Sequence, residues 1–361
     1  MKGYIERITG VIPYTNKTVD IPLNGRNLII TGSNGSGKTS FLRAAYEKTI
    51  LFIVDKKMAD LSQLQPIIPD NIQFSSKYDD RRAVVLYFED RRLAKIIDAT
   101  MAQGLQTEIE ENRKAAYNQN VGNKLEQHLL NLRARRSFAI TEEENQALAD
   151  NIAVWFMEFE KKLKYLFEDD SAILDFNPDK SKFYIQQDSK PPYTFQTLSA
   201  GYRAIFDVYA DLLMRTKYYE VSPQALDGVV FIDEIDSHLH ISLQRLIFPF
   251  FIESFPNIQF IVATHSPFVL MSTRDTLVFD LGKEAPYSVF QVKSQNEILN
   301  DYLGVPTAMP VWAERSLSEI LNKYLNREPD TISLASLKEE LIDAGLEAYF
   351  PDSAAKILEN K

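Results

Sequence analysis

The octapeptide GSNGSGKT, Gly32 to Thr39, decides the reading of this chain. It fits the spacing G-x-x-x-x-G-K-[ST], in which glycines let the backbone curl until successive N–H groups point at phosphate oxygens. Just before it, NLIIT (Asn27 to Thr31) is a short apolar run that reads as a buried strand. Just after it, Phe41, Leu42, Ala45 and Ile50 recur at near-helical spacing, so the loop leads into a helix whose positive end faces the same place. Gly32, Ser33, Asn34, Gly35, Ser36, Gly37, Lys38, Thr39 and Ser40 are therefore the expected nucleotide cradle. In such a loop the lysine, here Lys38, bridges the β- and γ-phosphates of ATP, and the hydroxyl of Thr39 ligates Mg2+.

A second apolar strand, VVFIDE (Val229 to Glu234), ends in two carboxylates. Burying that strand puts both acids at its carboxyl end, beside the phosphate loop. Asp233 is then expected to hold Mg2+, and Glu234 to polarise the attacking water as general base. Two further elements flank this strand: LSAGYR at Leu198 to Arg203, preceding an amphipathic helix, and IVATHSP, a strand that runs into His265. Each has an ordinary reading when taken alone. Ser199 reads as a helix N-cap, the two acids as a solvated turn, and His265 as a structural strand-end residue.

Composition narrows the classes. The 361 residues are 45% hydrophobic and 25% charged, which suits a large core with an appended lobe. No run approaches the ~18 apolar residues of a spanning helix, and MKGYIERITG lacks the apolar segment of a secretory signal, so a cytoplasmic protein without a membrane partner is expected. There is no cysteine, and three of the four histidines lie in or near the nucleotide motifs, which leaves no zinc site or His-based metal nuclease. A formal charge of −10 argues against a generally basic surface. The best local basic cluster is Arg133, Arg135 and Arg136, which reads either as a solvated helix end or as a phosphate or partner contact.

Along the chain, residues 1–91 carry the N-terminal strands and the phosphate loop, with a further strand at AVVLYFE (Ala83 to Glu89). Residues 92–169 turn charged and helix-forming, which predicts a helical insertion. In residues 170–293, FYIQQ (Phe183 to Gln187) and TFQ (Thr194 to Gln196) are expected to return the chain to the main sheet before LSAGYR. Residues 294–361 read as helices divided by prolines, with Ser336 and Glu339 spaced as a capping box and Gly345 as a stop.

Together GSNGSGKT, LSAGYR, VVFIDEIDSHLH and ATHSP resemble the RecF, SMC and OLD branch of ABC-class P-loop ATPases. LSAGYR and EIDSHLH are most similar to ATPase subunits of bacterial antiphage systems such as Septu, PARIS and some retrons. The resemblance implies an α/β ATPase head with an N-terminal β-subdomain, an inserted helical lobe and a helical C-terminal extension. It implies a homodimer in which Ser199 and Gly201 of one head contact the γ-phosphate held by Lys38, Thr39, Asp233, Glu234 and the switch His265 of the other. It also places Asp236 at the dimer seam. The Q-loop glutamine stays open between Gln73, Gln63 and Gln65.

Three departures shape the functional expectation. The long gap between phosphate loop and LSAGYR argues against a transporter subunit. A single cassette argues against a translation-type ABC protein, and the absence of a D-x-D pair after His265 argues against an internal Toprim nuclease. The expected function is thus a nucleotide-gated dimeric sensor or scaffold, assembling further or not, that hydrolyses ATP and controls a separately encoded nuclease or toxin. The alternative is a RecF-like repair ATPase that clamps nucleic acid directly. A third reading, a scaffold that uses ATP only as glue, is disfavoured by the presence of Glu234.

Overall fold

The computed structural model describes residues 4–56, 63–92, 94–273, 275–283, 285–287, 311–325 and 334–346. The prolines expected to divide the C-terminal helices lie outside these residues. The chain falls into two units, residues 1–292 and 293–361.

The first unit is built on a six-stranded sheet. Its strands are β3 (Leu28–Thr31), β5 (Ala83–Phe88), β9 (Asp227–Ile232), β10 (Ile258–Ala263), β11 (Leu277–Asp280) and β12 (Ala285–Tyr287). The order is β12-β11-β3-β10-β9-β5, parallel throughout except for β12. Strands β3 and β10 are buried at every residue, as a parallel sheet covered on both faces requires. The order sets the site: β10 lies between the strand that feeds the phosphate loop and the strand that ends in Asp233, so all three strand ends open on one edge.

A three-stranded antiparallel sheet of β1 (Arg7–Val11), β2 (Thr18–Pro22) and β4 (Gln65–Ile67), order β2-β1-β4, forms the expected N-terminal β-subdomain. Alternation in β2, with Val19 and Ile21 buried, turns one face inward. That face shares a single apolar core with helices α1 (Lys38–Ile53) and α2 (Asn71–Asp79) and with the main sheet. A buried amide fastens the two sheets: Gln259 on β10 accepts from the Ile5 amide at 2.8 Å and donates to the carbonyls of Ile5 and Arg26 at 3.0 and 2.8 Å.

The expected insertion is helical: α3 (Leu105–Asn112), α4 (Ala115–Asn118), α5 (Leu125–Thr141) and the 22-residue α6 (Gln146–Phe167). Asn145 caps α6 by accepting from the Leu148 amide, and Glu168 ends it in a left-handed conformation. Two of the three arginines of the basic cluster have partners among the described residues. Arg135 forks onto Glu143 at 2.8 and 2.8 Å, and Arg133 lies over the Phe176 ring at 5.4 Å.

One expectation is corrected. FYIQQ does not rejoin the main sheet but forms β7 (Lys182–Gln187) of a separate antiparallel meander with β6 (Ile173–Asn177) and β8 (Lys190–Tyr193). TFQ is not a strand at all: Phe195–Thr197 is a 3-10 turn, held by Thr197 hydroxyl and Thr194 backbone. The alternation of β7, with Phe183, Ile185 and Gln187 buried, is satisfied by the meander's own inner face. Beyond it run α7 (Ala200–Tyr218), α8 (Ile241–Ser254) and the short α9 (Pro267–Leu270).

In the second unit, α10 (Val311–Leu325) and α11 (Leu334–Asp343) bury Ile320, Leu321, Tyr324, Leu337 and Leu341 against each other. Ser336 is the third residue inside α11, past the N-cap position that the spacing suggested. Gly345 does stop the helix, with φ +70° and the Leu346 amide bonded back to Leu341 at 2.7 Å. Among the described residues, no helix is long and apolar enough to cross a membrane.

Candidate nucleotide site

The phosphate loop is held open by three left-handed glycines: Gly32 at φ 134°, Gly35 at 76° and Gly37 at 101°. Gly37 is the N-cap of α1, and a Cβ there would sit 3.0 Å from Thr15. The first turn of α1 therefore starts abruptly, with Thr39 exposed and no acidic side chain competing for its N–H groups. Lys38 is 7% exposed and donates to the carbonyls of Gly32 and Ser33 at 3.0 and 3.2 Å, which holds its ammonium at the loop's mouth. Burial lowers its pKa, and the carboxylates of Glu234, Asp233, Asp236 and Asp280 oppose that shift.

The strand-end acids act on that same lysine. Asp233 is 4% exposed; its Oδ2 accepts from the Tyr87 hydroxyl at 3.4 Å, whereas Oδ1 is buried without a partner among the described residues. A buried carboxylate oxygen without a protein partner is the kind of oxygen donor that a hard cation accepts, so Asp233 fits Mg2+. Glu234 adopts a left-handed backbone at φ 44°. Its pKa is raised, first by burial and then by Asp233, Asp236 and Asp90, with Lys38 opposing. The His265 pKa is lowered by burial and by the Lys38 cation, which favours a neutral imidazole at pH 7.

A hydrogen-bonded chain fixes the turn after Glu234. The Thr264 hydroxyl donates to Asp236 Oδ1 at 2.5 Å and accepts from the Ser266 amide at 2.9 Å. Ser266 donates to Gln244 Oε1 at 2.6 Å, and Gln244 donates back to the Leu239 carbonyl at 2.9 Å. Asp236 is thereby tied to the strand end that carries His265.

Ser199 has the backbone of an N-cap, φ −61° and ψ 160°, yet its side chain makes no capping hydrogen bond and is exposed. The capping explanation of LSAGYR thus fails at the side chain that defines it. Gly201 is buried against the turn that follows the acid strand.

Two residues were not legible from the motifs. Tyr14, at φ 62° and fully exposed, lines a 690 Å³ groove with Thr15, Thr39, Ser40, Arg43 and Gln63. Of the three candidate Q-loop glutamines, Gln63 lies on this groove, Gln65 pairs with Thr9 in the β-subdomain, and Gln73 is exposed on α2. The second is Arg92, which is buried and donates through Nη1 to the Asp233 carbonyl and through Nη2 to the Glu234 carbonyl.

A stretch of 73 residues is 47% identical to "Retron Ec83 probable ATPase" of Escherichia coli, covering 19% of this chain and 14% of that protein. Another, of 80 residues, is 39% identical to "Septu protein PtuA" of Bacillus mycoides strain KBAB4, covering 22% and 11%. The match therefore spans about one seventh or less of these curated relatives. Among solved structures, the SMC head bound to the C-winged helix domain of ScpA aligns over 78% of this chain and 96% of that one, at 15% identity and a TM-score of 0.40. A family model described as "AAA domain, putative AbiEii toxin, Type IV TA system" matches residues 59–272 of the 361. With more than half of its length matched, the chain belongs to this AAA domain family.

Proposed function

We propose that the chain binds ATP and Mg2+ between two copies of its first unit, hydrolyses the nucleotide, and serves as the switch of an antiphage system whose effector is a separate polypeptide. The observation that carries this reading is the strand order, in which parallel β3, β10 and β9 end on one edge of the sheet and so bring the Lys38 loop, His265 and the acids Asp233 and Glu234 to the same place. Family membership and the likeness to retron and Septu proteins support the defence setting.

In this reading the loop amides of Gly32 to Thr39 receive the phosphates, and Lys38 moves its ammonium from loop carbonyls to the β- and γ-phosphates. Thr39 and Asp233 would hold Mg2+, which when bound would supply positive charge to the phosphates. Glu234 orients and polarises water. Its raised pKa makes it a better base than an ordinary carboxylate, in a field where Lys38 still favours ionisation. A neutral His265 donates one hydrogen bond to the γ-phosphate. The Tyr14 groove accommodates the base beside Thr39. Ser199 and Gly201 complete the site from the second copy, and Asp236 lies at the seam between them.

The test compares wild type with Lys38→Ala and Glu234→Gln. Lys38→Ala is expected to lower ATP affinity and to reduce turnover by about 10²-fold. Glu234→Gln is expected to keep ATP binding while accumulating a nucleotide-bound dimer. Normal turnover in Glu234→Gln would sink the assignment of the base. Titration with duplex DNA at two salt concentrations addresses the clamp alternative, which demands steeply salt-sensitive binding.

A further inference from the structure

Arg92 is 3% exposed, yet its hydrogen bonds go to carbonyls and not to a carboxylate. Nη1 donates to Asp233 O at 2.5 Å and to Glu89 O at 3.2 Å, and Nη2 donates to Glu234 O at 2.7 Å. The other deeply buried arginine nearby, Arg215, contrasts with it, because its Nε pairs with Asp211 Oδ2 at 2.8 Å. A planar guanidinium can bridge two consecutive carbonyls in a way that an ammonium cannot.

What Arg92 holds is a strained piece of backbone. Glu234 occupies the left-handed region that bulky side chains avoid, and such conformations persist where neighbours over-determine them. Here the Asp233 amide bonds to Phe88 O at 2.9 Å and the Ile235 amide to Ala263 O at 3.0 Å, while Arg92 takes the carbonyls of the two acids between.

Arg92 also faces the helix that begins at Ser199. Among the carboxylates whose fields act on its buried charge, Asp207 of α7 is the strongest, ahead of Asp236, Asp233 and Asp90. Asp207 makes no side-chain hydrogen bond among the described residues, and burial with Asp211 pushes its pKa up to about 6 against the pull of Arg92. Both residues line a 480 Å³ cavity between β5, α1 and α7, so space exists for either to shift.

We infer that Arg92 is a positioning residue that sets the aim of Glu234, and that Asp207 couples this grip to the position of α7 and hence to the state of Ser199. The inference rests on the reading of Glu234 as the water-activating acid. Engagement of Ser199 by nucleotide on a second copy displaces α7, changes the field at Arg92, and alters how firmly the Glu234 peptide is held.

The experiment measures kcat, KM, binding of a non-hydrolysable ATP analogue and thermal midpoint for wild type, Arg92→Lys, Asp207→Asn and the double variant. Arg92→Lys keeps the charge but loses the fork, so kcat is expected to fall about tenfold or more with KM and analogue affinity within about twofold. Asp207→Asn and Arg92→Lys are expected to be non-additive in kcat. Arg92→Ala is measured alongside, with methylguanidinium expected to restore part of its turnover. Wild-type kcat in Arg92→Lys, equal losses in kcat and analogue binding, or unfolding of both Arg92 variants would overturn the positioning role. Strict additivity would overturn the coupling to α7. If wild type is inert or Glu234→Gln is fully active, the underlying site reading fails instead, which these controls reveal independently.

Discussion

Gly201, the glycine of LSAGYR, lies directly beneath the carbonyl of His238 in the same chain: a Cβ built on it comes within 2.9 Å of that oxygen. The start of α7 and the turn that carries Asp236 are thus packed backbone to backbone. The glycine serves this close approach whatever its amide does toward nucleotide. Gly201→Ala should push the two segments apart, cutting turnover about tenfold while lowering the thermal midpoint by only about 2–4 °C. Steady-state kinetics and a melting curve check this, and unchanged kinetics would show that the contact does not bear on the site.

Gly228, the second residue of β9, has φ 149°, with an added Cβ only 2.3 Å from the Val84 carbonyl of β5. No side-chain rotation relieves a clash with backbone, so Gly228→Ala is expected to cost about 3 kcal/mol or more in chemical denaturation. It is also expected to splay the strand that ends in Asp233. A loss under about 1 kcal/mol would mean that the two strands separate freely.

Glu234 should make the folded chain less stable at neutral pH than a neutral side chain would. Its pKa is raised by burial and by Asp233, Asp236 and Asp90, so the folded state holds the proton more tightly than the unfolded one. Such a group leaves stability intact below its unfolded value and diminishes it as pH rises through the folded value. Glu234→Gln should therefore raise the thermal midpoint near pH 7.5. The gain should vanish as pH falls below the ordinary glutamate value of 4.5. Equal midpoints at both pH values would contradict the raised pKa.

The sequence disclosed those parts of the site that are written in local spacing. The phosphate loop, the acid-tipped strand and the helix after LSAGYR each depend on a few adjacent residues, and each is found where its pattern put it. Arg92 escaped because its partners are backbone carbonyls 141 and 142 residues away, and carbonyls leave no mark in side-chain patterns. Tyr14 escaped because a lone aromatic in a turn has no period. The meander of β6 to β8 is not legible in the same way, since alternation shows that a strand has an inner face without saying which sheet supplies it. TFQ carries no distinguishing signal, because a β-branched and an aromatic residue serve a 3-10 turn as readily as a strand end.

The central claim, one active site built from two copies, is tested most directly by complementation between Lys38→Ala and Ser199→Arg. Each variant alone should be nearly inactive, because every site in its homodimer lacks either the lysine or the opposing serine. Mixed in equal amounts, half of randomly paired dimers carry one intact site, so the account predicts recovery of about one quarter of wild-type ATP turnover. A mixture no more active than its parts, or a Ser199→Arg protein with wild-type turnover, would contradict it.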